Sequence, residues 1–358
     1  MPAPHPHLDF LSEAIATARA ARRPVAIRGG GTKDFYGGPV AGDTLDVRPL
    51  SGITSYEPTE LVITALAGTP LAEVESVLAG GGQHLAFEPP RYGAGGTVGG
   101  MVAAGLSGPA RARAGCVRDH VLGVTLINGR GEFGTFGGQV MKNVAGYDVS
   151  RLLAGSLGVL GVLCEVSLKV VPRPVASVTL VRSFDESGAL SLLNTLHRRP
   201  LPLGASAWYD GGLYLRLEGS EPAVAAGCAA LGGDRLDDTQ AAAWWAGLRD
   251  QTQPFFAAPG PDLWRLSLPP TAPAIPLAGG QLIEWGGALR WWRTDAPAED
   301  VRRRATVLGG HATRFRGARP VRDPFTPLPE PLRRVHRELK KAFDPDHILN
   351  PGRLYPEF

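Results

Sequence analysis

The 358-residue chain carries 37 Lys and Arg against 34 Asp and Glu, a net charge of +3 that is too small to mark a nucleic-acid binder. Its 47 glycines and 32 prolines make about 22% of the residues against roughly 12% in average usage, which favours tight turns over a helical bundle. With 44% hydrophobic and 20% charged residues the chain is not disordered, and its length predicts two domains.

In chain order, the opening MPAPHPHLDF has no basic stretch leading into an apolar one, so no secretory signal is expected, and His5 and His7 read as a frayed tail. Leu8, Leu11, Ile15 and Ala18 then recur at helical spacing, and Pro24 ends that helix. Val25, Ala26 and Ile27 form a short strand that runs into a run of glycines. Residues 61–66 read as a buried strand, followed by a helix over 70–79 with Thr69 as its cap. A helix is expected over 101–106, and a hairpin over 120–136, turned by Asn128 and Gly129. A long strand spans 161–171, and residues 172–174 look like a linker. Beyond it lie strands near 177–182, 205–208, 213–217, 263–268, 281–284 and 288–293. Helices fall near 188–197, in an alanine-rich stretch, and over 297–308 and 331–343. The pattern predicts an α+β fold whose second part is one mixed sheet with helices on one face. No apolar run approaches the ~20 residues of a membrane span, so a cytoplasmic protein is expected.

Three glycine-rich segments sit at element ends before residue 165: Arg28-Gly29-Gly30-Gly31-Thr32, Gly95-Gly96-Thr97-Val98-Gly99-Gly100 and 155–161. Consecutive glycines let main-chain N–H groups converge on one point, which suits a diphosphate. A helix opening at Gly99–Gly100 adds a second expected anion site. One such loop is an ordinary turn; three together point to a large phosphate-bearing cofactor. The usual rivals fail: Asp34 and Val98 stand where a G-x-G-x-x-G fingerprint needs its last glycine, and no G-x-x-x-x-G-K-[ST] occurs.

Four stretches, VAIRGGGTKDFY (25–36), 95–100, KNVAGYDVSRLLAGSLGVLG (142–161) and DPDHILNPGRL (344–354), resemble the vanillyl-alcohol oxidase / p-cresol methylhydroxylase (PCMH-type) FAD superfamily. Within it they are most similar to the smaller FAD-binding (E) subunits of bacterial glycolate oxidases. The resemblance implies a two-subdomain FAD-binding domain over 1–172, a cap over 173–330, and a segment over 331–358 that returns to the flavin. It implies FAD held by Arg28, Gly29, Gly30, Gly31 and Thr32 at the diphosphate. Gly95, Gly96, Thr97, Gly99 and Gly100 would face them, Gly161 and Val162 would lie at the adenine, and Asn350 and Pro351 near the isoalloxazine. Tyr147 and Asp148 stand either beside the cofactor or as helix-capping and packing residues. Covalent members often carry a histidine by the first loop; Thr32, Lys33 and Asp34 stand there, so noncovalent FAD is expected.

The resemblance further implies a role in oxidising glycolate or a similar small 2-hydroxyacid. The partners would be a larger FAD-binding catalytic subunit and an iron–sulfur subunit, with contact to the inner membrane only through them. The three cysteines, Cys116, Cys164 and Cys228, are far apart without a CxxC, so neither a disulfide framework nor a four-cysteine cluster belongs to this chain. Histidine pairs at ligand spacing are missing from 172–320, so no metal site is expected; His347 is the one histidine placed near the flavin, as a catalytic candidate. Two other readings stand beside this one: a self-sufficient FAD oxidase or dehydrogenase of another hydroxylated substrate, and a mainly structural subunit. The seven tryptophans read mostly as core. Ten arginines between 302 and 337, with acids only at Asp323 and Glu330, are either a solvated surface or a face for an acidic partner.

Overall fold

The computed structural model describes residues 5–138, 147–257, 259–276, 278–317 and 323–358. The first helix, Pro6–Ala20, buries Leu8, Leu11, Ile15 and Ala18. His5 is not frayed: its ring accepts from His7 N at its start, and His7 stacks on Phe10. The strand Val25–Arg28 pairs in parallel with Asp43–Asp46. A five-stranded antiparallel sheet follows, in the spatial order Ile53–Glu57, Val62–Leu66, Val162–Lys169, Val121–Ile127, Phe133–Gly137. The strands Val62–Leu66 and Val162–Lys169 read as near-continuous apolar runs because the first helix covers one face of this sheet and the helices Leu71–Gly80 and Val98–Ala104 pack on the other.

The helix predicted over 70–79 is Leu71–Gly80, but Thr69 does not cap it. The Thr69 hydroxyl instead donates to Gly52 O and accepts from Gly52 N, tying two loops. The linker expected over 172–174 is partly strand, since Val171–Pro172 pairs with Gln83–His84.

Among the described residues the second sheet has eight strands, in the order Asp234–Arg235, Ala176–Ser183, Gly212–Gly219, Leu203–Tyr209, Gln281–Glu284, Leu289–Thr294, Asp262–Ser267, His311–Arg316. Every one of its pairings is antiparallel, not mixed. Nor do its helices share one face. Leucines of Glu186–Leu196 and Glu221–Leu231 and the buried Val301 and Ala305 of Ala298–Val307 pack with Leu213, Leu215, Leu217, Trp264 and Trp292. Trp245 and Leu248 of Asp238–Arg249 and Phe255 and Phe256 of Pro254–Ala257 pack instead with Leu263, Leu282 and Trp291. Strand alternation sends those two sets to opposite faces. The second set meets Tyr36, Ala104 and Leu157 and so joins the eight-stranded sheet to the glycine-rich region.

The last helix, Glu330–Phe343, leads the chain back. Val25 N donates to Ile348 O at 2.7 Å and Asn350 N to Val25 O at 2.9 Å, so the closing segment adds beside the strand Val25–Arg28. Lys340, 1% exposed, anchors this return by donating to Val159 O, Leu349 O and Asp344 Oδ2 at 2.7–2.8 Å.

Candidate functional site

A cavity of about 850 Å³ lies where the strand Val25–Arg28, the helix Val98–Ala104, the 157–163 stretch, the closing segment and the end of the strand His311–Arg316 meet. That volume sits near the top of the ~300–1,000 Å³ range of small-molecule and cofactor sites. Arg28, Gly29, Gly30, Gly31, Thr32, Thr97, Gly99, Gly100, Gly161 and Asn350 line it.

The glycines are dictated by close approach. A Cβ on Gly30 would overlap the carbonyl oxygen of Gly95, and one on Gly29 would come within 2.5 Å of Thr97 Oγ1. The first two glycine-rich segments therefore touch backbone to backbone, leaving the cavity wall without side chains. Among the described residues, the N–H groups of Gly29, Gly30, Gly31 and Thr32 donate to no protein acceptor. Clustered unspent donors beside a turn form an anion cradle.

The helix opening at Val98 behaves differently from the sequence expectation. Its first donors are already taken: Val98 N by Thr69 O, Gly99 N by Ala67 O, and Gly100 N by Thr97 Oγ1. It supplies a smooth wall rather than an anion site. The two glycines permit that contact, since a Cβ on Gly99 would sit 2.7 Å from Ala67 Cβ.

Four sequence-predicted residues lie behind the wall. Gly95 backs Gly30; Gly96 O accepts from Leu71 N; Val162 is buried between the first helix and the sheet; Pro351 is half-buried beside Asn350. Asn350 is a staple. Its Oδ1 accepts from Ile27 N and its Nδ2 donates to Leu157 O, both at 2.7 Å, in a left-handed backbone with φ +42°. It fixes three walls of the cavity at once.

His347 is exposed and outside the lining, so its position gives it no catalytic contact. Tyr147 is 95% exposed and Asp148 caps Val149–Leu152 by accepting from Arg151 N, which is the capping alternative. Residues 142–146 of the third motif lie outside the described residues, as do Arg319 and Arg322 of the arginine-rich stretch. Among the rest of that stretch, Arg303, Arg314, Arg333 and Arg337 pair with acids, so much of its charge is spent internally. No group of three His, Cys, Asp or Glu among the described residues could hold a metal.

Sequence reasoning missed Lys33, Arg316 and Arg353, which also line the cavity. Arg353 donates to Lys33 O, Asp34 O and Gly38 O, pinning the first loop to the closing segment. Burial pulls Lys33 down to about 8, with the Asp250 carboxylate opposing. Asp34 pairs with Arg28 at 2.8 Å. The cavity is thus cationic, with glycine walls and unspent amides, and fits a long cofactor with an anionic middle.

In the eight-stranded sheet, Glu284 is 4% exposed, and Trp291 Nε1 donates to its Oε1 at 2.7 Å. Burial pushes its carboxyl from an ordinary 4.5 up to about 7, with Trp291 and Arg265 opposing. The folded chain therefore holds this proton up to about pH 7, whereas the unfolded chain releases it above about 4.5. Stability from Glu284 is full below pH 4.5, declines by about 3 kcal/mol as pH rises to 7, and is level above. Glu284→Gln should flatten that decline in urea melts run from pH 5 to 7; an unchanged slope would contradict the assignment.

A model of the family described as FAD binding domain matches residues 7–137. Across 97% of both chains this protein is 49% identical to "Glycolate oxidase subunit GlcE" of Escherichia coli (strain K12). It is 29% identical to "Glycolate oxidase subunit GlcD" of Bacillus subtilis (strain 168), over 51% of this chain and 39% of that protein. It is 30% identical to "D-lactate dehydrogenase" of Anaerostipes hadrus, over 49% of this chain and 39% of that protein. Among solved structures, an alkyldihydroxyacetonephosphate synthase superposes with a TM-score of 0.67 at 15% identity, covering 98% of this chain and 76% of that one; this is a likeness of fold.

Proposed function

Because this chain belongs to the GlcE family of glycolate oxidase subunits, we propose that it is the FAD-binding subunit of a multi-subunit glycolate oxidase. In that role it takes part in oxidising glycolate or a similar 2-hydroxyacid to the 2-oxoacid, with electron transfer through FAD. The observation that carries this is the cavity of about 850 Å³ walled by the glycine-rich segments, in a chain matched along nearly its whole length by such a subunit.

The amides of Gly29, Gly30, Gly31 and Thr32 hold the diphosphate oxygens, Gly99 and Gly100 let the cofactor lie against the helix, and Asn350 sets the far wall. When bound, FAD supplies the acceptor for a hydride or for single electrons. The lining contains neither His nor Cys among the described residues, which supports noncovalent attachment. Residues 1–172 form the cofactor unit, 173–330 the cap, and 331–358 the returning segment.

The partners are a larger FAD-binding subunit and an iron–sulfur subunit. Cys116, Cys164 and Cys228 are unpaired and scattered, so any cluster relay belongs to another chain. No helix among the described residues is long and apolar enough to cross a membrane, and membrane contact runs through those partners.

The test is glycolate-dependent dye reduction by the FAD-loaded chain alone, by the partner subunits alone, and by the assembled complex. Full turnover only in the complex supports the subunit reading. Equal turnover by the partners without this chain would overturn it.

A further inference from the structure

The cavity holds two cations that form no ion pair among the described residues. Arg316, at the end of the strand His311–Arg316, and Lys33, just past the first glycine loop, both line it. The Arg316 guanidinium carbon lies 5.1 Å and the Lys33 Nζ 5.6 Å from the centre of one ring, Tyr92. The two charges are therefore at most 10.7 Å apart. Every Asp and Glu of the chain falls within the described residues, and none stands within ion-pairing distance of either cation. The nearest candidates are spent: Asp250 on Arg249, Asp34 on Arg28, and Asp262 on Arg314.

Arg316 is also held in place without using its donors. Its guanidinium lies 4.3 Å from the ring centre of Phe35 and 5.6 Å from that of Phe315, and none of its N–H groups bonds to a described residue. Stacking fixes the plane of a guanidinium and leaves its donor fork facing outward, the arrangement that receives a carboxylate on two parallel hydrogen bonds. Tyr92 itself is kept in a left-handed backbone, φ +52°, and the preceding Arg91 is locked by N–H donation to Asp250 and an ion pair with Glu75. Backbone strain of this kind persists where the surroundings over-determine it.

We propose that Lys33 and Arg316, gathered on Tyr92, form a clasp for the carboxylate of a small acid at the cap end of the cofactor cavity. This rests on the reading of the cavity as the FAD site. There the unspent amides of Gly29 to Thr32 take the phosphate oxygens and the clasp takes the substrate's anionic end. The depressed Lys33 value fits a cation partly stripped of water that regains charge stabilisation when an anion arrives.

The probe is oxalate, a two-carbon acid that the reaction cannot oxidise, titrated into the FAD-loaded full chain and followed by calorimetry and by the flavin difference spectrum. FAD affinity is measured in parallel on the same samples. Wild type should bind oxalate saturably. Losing a charge-assisted contact should weaken it about 10- to 100-fold in Arg316→Gln and about 10-fold in Lys33→Met, with FAD affinity within about twofold of wild type. Lys33→Met, at a half-exposed loop position, serves as the folded variant if Arg316→Gln loses structure. Oxalate affinity unchanged in the variants, or no oxalate binding to the loaded wild type, would overturn the clasp. A loss of FAD affinity in place of oxalate affinity would assign the cations to the cofactor's phosphates and overturn it as well. A chain that took up no FAD would fail before oxalate was added, and that result would strike the cofactor reading itself and the clasp with it.

Discussion

Gly30→Ala is expected to weaken FAD binding about 100-fold or more. The added methyl would overlap the carbonyl oxygen of Gly95, and that obstacle is main chain, which cannot swing aside as a side chain can. The two loops must part, and the amides at Gly29 to Thr32 then lose their shared aim. Overpacking in a tight contact costs typically 1–3 kcal/mol, and a factor of 100 corresponds to about 2.7 kcal/mol. The control is Gly80→Ala, at the end of Leu71–Gly80, where a Cβ meets nothing within 4 Å; it should leave FAD affinity unchanged and hold or slightly raise stability. Fluorescence titration of apo chain with FAD reads both. Equal affinity in Gly30→Ala and wild type would mean that the cofactor does not lie on this loop.

Lys340→Met should cost about 3–5 kcal/mol of folding stability, the range for removing one partner of a buried ion pair. Lys340 is 1% exposed and Asp344 wholly buried. Burial pulls the lysine below its ordinary value and Asp344 opposes that pull. All three ammonium donors are used, on the 157–160 stretch, the closing segment and Asp344, while Asp344 also accepts from Ile348 N and Leu349 N. Removing the ammonium strands a carboxylate and two carbonyls in the interior. Lys340→Met combined with Asp344→Asn should recover part of the loss, because the stranded charge goes too. Urea denaturation measures each variant, and a single-variant cost below about 1 kcal/mol would show that the pair does not anchor the closing segment.

Much of the site is legible in the chain because the chemistry sits in local runs. Three glycine-rich segments need only short-range turn logic to be recognised, and the closing motif brings Asn350 with it. What the Asn350 amide does, bridging Ile27 N and Leu157 O, depends on pairing across 323 and 193 residues and has no local signal. Arg316 is hidden for the same reason: within a run of ten arginines it reads as surface charge, and only strand register sets it apart from its paired neighbours. Where the glycines at Gly99 and Gly100 suggest an anion site at a helix opening, carbonyls of Ala67 and Thr69 reach the helix start, a tertiary competition for the same donors. Strand order and direction in the second sheet were likewise beyond reach, since alternation tells which residues share a face but not which strands are neighbours.

The most direct test of the central claim is the absorbance spectrum of the purified full chain, taken before and after acid precipitation. An FAD-binding subunit should show a flavin band on the native protein that moves into the acid supernatant as FAD. A chain without flavin that stays colourless after incubation with FAD would contradict it and leave a structural subunit in place of an electron-transfer one.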